Sequence, residues 1–352
     1  MISVEDVIEY FRNENPDKSI STYTTMKYNI VRLQKIFSKD IDDITLDDFV
    51  ATSSVMEEVE KYALNTQIQT IMGIKLFLRF IKADKSFIHI YNDILKELCA
   101  NSQEVIEKNE MSDNEKENWI DYLDLKFKFE DYYKNIFLEK MKQVGWSVGE
   151  EYSFYCLVRN VLLMALYIEI PPTRIGNYQY MMIREKKKRD GVSLQKSYNY
   201  LMNNLDGSFT LIFNKYKTAK FVGQISKTIQ KDTLLSNIIT LYLEHRKKFV
   251  GRKDNTFFLV AKDNKQMSQS NITDTLKYIT RKAIGKSLSV NLFRHIYISH
   301  FSTSNKSIEK TKELARFMGQ SYVPNMFDKY VRVPTTEERE RQLLKKCTLT
   351  FD

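Results

Sequence analysis

A chain of 352 residues, 43% hydrophobic and 12% aromatic, is long enough to bury a sizeable core and predicts two domains. It has no run of about 18 uncharged apolar residues, which excludes a membrane span, and Met1-Ile2-Ser3-Val4-Glu5-Asp6 lacks the basic and apolar regions of a secretory signal, so a soluble intracellular protein is expected. The net charge of +9 is uneven: residues 1–110 hold 13 Lys+Arg against 19 Asp+Glu and the rest 41 against 26, so a polyanion is the expected partner of the later part.

The first hundred residues read as helices. Thr22-Tyr23-Thr24-Thr25 is the expected N-terminal cap of a helix through Tyr28, Ile30, Val31, Leu33 and Phe37, whose apolar residues keep a helical period. Asp40 to Asp43 break it, and Thr45-Leu46-Asp47-Asp48 caps the next element, its acids suiting the positive end of a helix dipole. A second long helix is predicted through Ile68, Ile71, Met72, Ile74, Phe77, Leu78 and Ile81. Its Lys75, Arg79 and Lys82 fall on one face, a cationic strip suited to a DNA backbone. Residues 99–115 read as a linker. Within them Ser112-Asp113-Asn114-Glu115 has capping-box spacing, which predicts a new helix carrying Trp119.

Amphipathic helices follow over 127–144 and 152–168, the latter stopped by Pro171-Pro172. Between 177 and 230 the period shortens. Residues 178–183, 208–213 and 221–225 read as short strands of a small sheet, separated by charged runs. Helices resume over 234–248, 271–284, 293–301 and 307–317. The tail from Pro334 is charged at first and helical in propensity.

Cys99, Cys156 and Cys347 are far apart and share no ligand spacing with the four histidines, so neither a metal, a cofactor nor a disulfide framework is expected. The chemistry points instead to phosphate. Arg174 follows Pro171-Pro172-Thr173 at a helix-to-strand junction, where a guanidinium can fork onto phosphate oxygens. Arg294 lies on an apolar-periodic helix in Asn291-Leu292-Phe293-Arg294-His295. Lys217 sits in Asn214-Lys215-Tyr216-Lys217-Thr218-Ala219-Lys220, a predicted β-turn from which an ammonium can act as general acid. Gln320 follows Gly319 at a helix end, and its amide can donate to an anionic oxygen. Tyr330 is a competent nucleophile toward phosphorus when cations flank it.

In this order and spacing, Arg174, Lys217, Asn291-Leu292-Phe293-Arg294-His295, Met318-Gly319-Gln320-Ser321 and Tyr330 resemble the catalytic domain of the tyrosine recombinase (phage integrase) family. The resemblance implies a mainly α fold with a small antiparallel β-sheet in an α+β catalytic domain, and a two-domain DNA clamp completed by an all-α N-terminal domain. Residues 1–105 would be the helical, SAM-like core-binding domain, 106–114 a linker, 115–333 the catalytic domain and 334–352 a tail that docks on a neighbouring subunit. It further implies a site-specific recombinase that cuts and rejoins double-stranded DNA of a mobile element or viral genome through a 3′-phosphotyrosyl intermediate. Such an enzyme works as a homo-tetramer on DNA, without a metal.

By position, Arg174 and Arg294 would hold the phosphate, Lys217 would be the hairpin acid, with Lys215 and Lys220 on DNA beside it and competing for the same role, and Tyr330 would be the nucleophile. Three positions depart from the family pattern. Asn291 and Gln320 stand where histidine, or histidine or tryptophan, is usual, and Asn177 replaces an acid. Both amides at 291 and 320 still donate hydrogen bonds but cannot shuttle a proton as imidazole does. DNA relaxation of the type IB topoisomerase kind, or a catalytically decayed DNA-binding protein of this fold, are the alternatives.

Overall fold

The structure is a computed structural model describing residues 2–108, 110–143, 145–185, 194–250, 257–261, 265–302, 307–319 and 331–332. Contacts divide the chain into two compact units, Met1–Lys108 and Asn109–Asp352, and each builds its own apolar core.

In the first unit, helices α1 (Val4–Glu14), α2 (Ile20–Phe37), α3 (Thr52–Glu60), α4 (Leu64–Phe80) and α5 (Lys85–Glu107) pack around Phe49. Rings of Phe37, Phe77 and Tyr91 surround it at centroid distances of 4.9, 5.9 and 6.2 Å. The helix expected through Phe37 starts earlier than its threonines suggest, because Ser19 accepts the Thr22 N–H. Thr24 and Thr25 turn their hydroxyls back onto the carbonyls of Ile20 and Ser21, the alternative such side chains have inside a helix. The Thr45–Asp48 capping box forms as expected, over a short 3₁₀ turn, Leu46–Phe49.

Two expectations for this unit change. The polar stretch after Cys99 continues α5 to Glu107, since it contains no glycine or proline to end the helix. Lys82 does not share the α4 face with Lys75 and Arg79. The helix ends at Phe80, and Lys82 has φ 56°, in the left-handed region that reverses the chain.

The second unit begins with α6 (Asp113–Asn118), started by the Ser112–Glu115 capping box and ended at Trp119, which is its C-cap. Then come α7 (Tyr122–Tyr132), a π turn (Tyr133–Phe137), α8 (Leu138–Met141) and α9 (Val148–Ile168). Val161 through Ile168 are each 0% exposed, so the last two turns of α9 are enclosed on all sides and form the axis of this core. The chain leaves α9 directly into Pro171, Pro172 and Arg174. Next stand α10 (Ile175–Gln179), β1 (Met181–Glu185), β2 (Asn199–Asn203), β3 (Phe209–Phe213), α11 (Ala219–Val222) and β4 (Ile225–Ile229). Helices α12 (Leu234–Phe249), α13 (Gln269–Ile284), α14 (Val290–Ser302) and α15 (Ile308–Phe317) complete the described elements, close to their expected bounds.

The sheet has order β1-β2-β3-β4 and is mixed, which corrects the expected antiparallel sheet. Strand β1 pairs with β2 in parallel, Met181 against Asn199, while β2–β3 and β3–β4 are antiparallel. Residues 186–198 separate the parallel pair, enough chain for the crossover that a hairpin does not need. Strand β2 reads Asn-Tyr-Leu-Met-Asn, without the polar–apolar alternation that marks a half-buried strand. Tyr178 lies in α10 and Phe221 in α11, so the strands expected to begin there start later, at Met181 and Ile225.

Candidate active site

Two arginines from distant parts of the second unit end on neighbouring carbonyls. Arg174 occupies the N-cap of α10 in an extended conformation, as N-cap residues typically do, and its Nη1 donates to the Gly319 carbonyl at 3.0 Å. Arg294, on α14 and only 1% exposed, donates from Nη1 to the carbonyls of Pro172 at 3.1 Å and Met318 at 3.3 Å. Met318 and Gly319 end α15. The last carbonyls of a helix lack intrahelical donors and carry the negative end of its dipole, so this terminus draws both guanidiniums. The Thr218 hydroxyl donates to the same Gly319 oxygen at 2.5 Å.

Thr218 belongs to the segment between β3 and β4, which is longer than the expected β-turn because α11 is inserted in it. Lys215, Lys217 and Lys220 are all exposed here. They are not equivalent: the Lys215 ammonium lies 3.9 Å from the Tyr180 ring centroid, a cation–π contact. The segment is tied at both ends. At its start the buried Asn199 side chain holds the backbone of Asn214 and Lys215. At its far side the Tyr216 ring covers Gly319, whose φ is +66°; a Cβ there would come 3.2 Å from Tyr216 Cδ2. The Tyr216 hydroxyl donates to the Gly223 carbonyl. Burial raises the Tyr216 phenol, with the Arg316 charge pulling the other way.

Tyrosines close to the arginines are core, not nucleophile. Tyr167 and Tyr178 are fully buried, their rings 5.6 Å apart, and Tyr167 stacks toward Phe293 beside Arg294. Burial pushes the Tyr167 phenol well above its ordinary value, reinforced by Tyr178 and only partly countered by Arg294. Burial likewise raises Tyr178. Both stay neutral.

Gln320, Ser321 and Tyr330 lie outside the described residues, as does the tail from 334. The residues on either side of that stretch are described. Val331 packs on Ile298, Leu314, Ala315 and Met318, and the Arg332 N–H donates to Ser299 Oγ at 2.8 Å. Arg332 also reaches Glu115 Oε1 at 3.6 Å and His295 Nε2 at 3.4 Å. Burial raises the Glu115 carboxyl, but the Ser112 N–H bond and the Arg332 and His295 charges outweigh it and hold the group below its usual value. The chain on both sides of 320–330 is therefore anchored around α14, the helix that carries Arg294.

Asn291 is exposed on the first turn of α14, three residues before the buried Arg294. A groove of about 560 Å³ runs from Pro171 to α15 and the start of β4, with Lys227, Lys310 and Arg316 against Glu313 in its walls; neither Arg174 nor Arg294 lines it. In the first unit Arg79 and Lys82 are exposed and Lys75 is half-buried; burial, then the nearby Arg79 charge, lowers the Lys75 ammonium. Among the described residues no His, Cys, Asp and Glu cluster could hold a metal. Sequence reasoning missed Thr218, Asn199 and the Met318 and Gly319 carbonyls. Thr218 directly follows Lys217, whereas nothing in the sequence marks Asn199, which lies on the strand that escaped detection.

No protein-family model matches the chain, and no curated protein matches its sequence. Among solved structures the chain is similar to XerA recombinase, at 13% identity over 97% of both chains with a TM-score of 0.38. It is also similar to the Tn1549 transposon integrase in complex with a circular intermediate DNA, at 11% identity over 98% of this chain and 100% of that one, TM-score 0.43. The same integrase in complex with transposon right end DNA aligns at 11% identity over 98% and 99%, TM-score 0.41.

Proposed function

We propose that this chain is a tyrosine-type site-specific DNA recombinase or integrase. One observation carries the reading: Arg174 and Arg294, from separate elements, donate to the carbonyls of the consecutive residues Met318 and Gly319, and the lysine-bearing segment joins them through Thr218. Two guanidiniums and a loop with three exposed lysines thus meet at one helix end, immediately before Gln320. A guanidinium has five N–H donors, and the Gly319 bond uses one of those of Arg174. The anchoring of Val331 and Arg332 on α14 supports Tyr330 as the group delivered to that point.

The chemistry follows from charge and proton balance. The Tyr330 oxygen attacks the phosphorus of a DNA phosphodiester while the P–O5′ bond breaks, leaving a 3′-phosphotyrosyl ester. Lys217 gives a proton to the departing 5′ oxygen, and Arg174 and Arg294 neutralise the non-bridging oxygens, where the transition-state charge sits. A 5′-hydroxyl of a second strand then displaces the tyrosine. Asn291 and Gln320 serve as neutral donors. Residues 1–105 act as the second half of a DNA clamp, with Lys75 and Arg79 of α4 toward the backbone, 115–333 as the catalytic domain, and 334–352 as a contact in a DNA-bound homo-tetramer.

One observation favours a second reading, a DNA-binding protein of the same constellation without chemistry: Arg294 is 1% exposed, with Nη1 committed to two carbonyls. Covalent capture separates the two. The protein is incubated with fragmented DNA from its source, denatured, and the linked DNA sequenced. An adduct at a repeated sequence, formed by the wild type and not by Tyr330→Phe, supports the recombinase. Salt-sensitive binding without any adduct supports the second reading.

A further inference from the structure

The Asn199 amide is 0% exposed and uses its whole hydrogen-bonding capacity. Its Oδ1 accepts the N–H groups of Asn214 at 2.8 Å and Lys215 at 2.7 Å, and its Nδ2 donates to the carbonyls of Asn177 at 2.7 Å and Lys215 at 3.0 Å. An amide has two donor hydrogens and two acceptor lone pairs, so none remains. The partners are not ordinary strand neighbours. The β3–β4 ladder ends at Phe213 opposite Ile225, and Asn214 and Lys215 are the first residues beyond it. Asn177, on α10, donates its own N–H to the Arg174 carbonyl at 2.9 Å. One side chain thus takes over where the backbone ladder stops and ties the Lys217 segment to the short helix that Arg174 caps.

We propose that Asn199 is a positioning residue for strand cleavage: it fixes the Lys217 segment relative to Arg174, so that the proton donor and the first arginine address the same phosphate. This rests on the recombinase reading. Asn199 touches no reacting atom. It acts through Lys217, whose proton must reach the 5′ oxygen as the P–O5′ bond breaks. Thr218 on Gly319 holds the far side of the same segment, so losing the brace displaces the lysine while the arginines, which have their own carbonyl partners, remain.

A sulfur leaving group isolates that effect. A thiolate departs without a proton, since a thiol ionises near pH 8.5, so DNA with a 5′-bridging phosphorothioate at the site captured from the wild type does not need Lys217. Adduct formation is timed on ordinary and sulfur-substituted DNA for the full-length wild type, Lys217→Ala, Asn199→Asp and Asn199→Ser. Asn199→Asp keeps volume and both acceptor bonds but loses the donors; Asn199→Ser serves if the aspartate prevents folding.

A general acid contributes about 10²–10⁴-fold, so the Asn199 variants are expected to be slowed at least ~10²-fold on ordinary DNA and to come within severalfold of wild type on the sulfur substrate, in step with Lys217→Ala and with unchanged DNA binding. Equal slowing on both substrates would make Asn199 a merely structural amide, and no slowing on ordinary DNA would also overturn the proposal. Absence of a wild-type adduct on both substrates would instead remove the recombinase reading itself.

Discussion

Replacing Gly319 by alanine tests the geometry on which both arginines converge. Gly319 has φ +66°, where an L-residue is disfavoured by roughly 1–2 kcal/mol. The new Cβ would also stand 3.2 and 3.4 Å from two atoms of the Tyr216 ring. That ring is tethered by its hydroxyl to Gly223 and cannot swing away freely, so overpacking adds on the order of 1 kcal/mol. Together these predict a loss of about 2–3 kcal/mol. The chain has two tryptophans, Trp119 and Trp146, both in the second unit, so tryptophan fluorescence during urea unfolding reports the unit that holds the site. The midpoint should fall with the slope unchanged. In a double-mutant cycle, Tyr216→Ala should relieve the steric part only, leaving about 1–2 kcal/mol due to the backbone. A Gly319→Ala protein within about 0.5 kcal/mol of wild type, or one fully restored in the Tyr216→Ala background, would refute the reasoning.

Two half-buried carboxyls should respond to pH with opposite signs. Glu115 is held below the usual 4.5 despite burial, by Ser112, Arg332 and His295; its contribution is complete above about pH 4.5 and is lost as pH falls toward its folded value. Glu115→Gln should therefore flatten the acid limb of the melting-temperature profile, and an unchanged limb would count against the ion cluster. Glu169 is raised chiefly by burial, with Lys126 3.6 Å away only partly compensating. Its folded state keeps the proton longer, so its cost appears as pH climbs from the ordinary value through the raised one. Glu169→Gln should melt higher than wild type at pH 7 and match it near pH 3; a lower melting temperature at pH 7 would reverse the assignment. Tyr330→Phe should retain salt-sensitive DNA binding and form no adduct, and an adduct from that variant would remove Tyr330 as nucleophile. Lys217→Ala should slow adduct formation by ~10²-fold or more, whereas Lys215→Ala, whose ammonium rests on Tyr180, should change it by less than about tenfold; the reverse order, read by the same gel assay, would transfer the acid to Lys215.

Features that depend on residues three or four apart were legible before any tertiary structure. The capping boxes at Ser112–Glu115 and Thr45–Asp48 form where their spacing places them, and the four helices from Leu234 to Phe317 match their apolar period. Arg174 stands at the chain's exit from the core because Pro171-Pro172 cannot continue a helix. Local hydrogen-bond competition and side-chain periodicity decide such features, and both are written in neighbouring residues. Where several local signals compete the sequence is weaker, as at Ser19 against Thr22 to Thr25 and at Lys82, just past the end of α4.

The site itself was legible only as a set of residue types. Composition and order supply two arginines, a lysine loop and a tyrosine. Their meeting point, the Met318 and Gly319 carbonyls, involves hydrogen bonds spanning 145, 101 and 24 residues. Strand β2 shows the same limit. It lacks its own periodic signal and exists because β1 and β3 flank it, and only in that place does Asn199 have four partners. Backbone groups left unpaired by local structure must find donors and acceptors wherever the fold brings them, so local chemistry chooses the helices, while the pairing of their unsatisfied ends, decided only in the tertiary structure, makes the site.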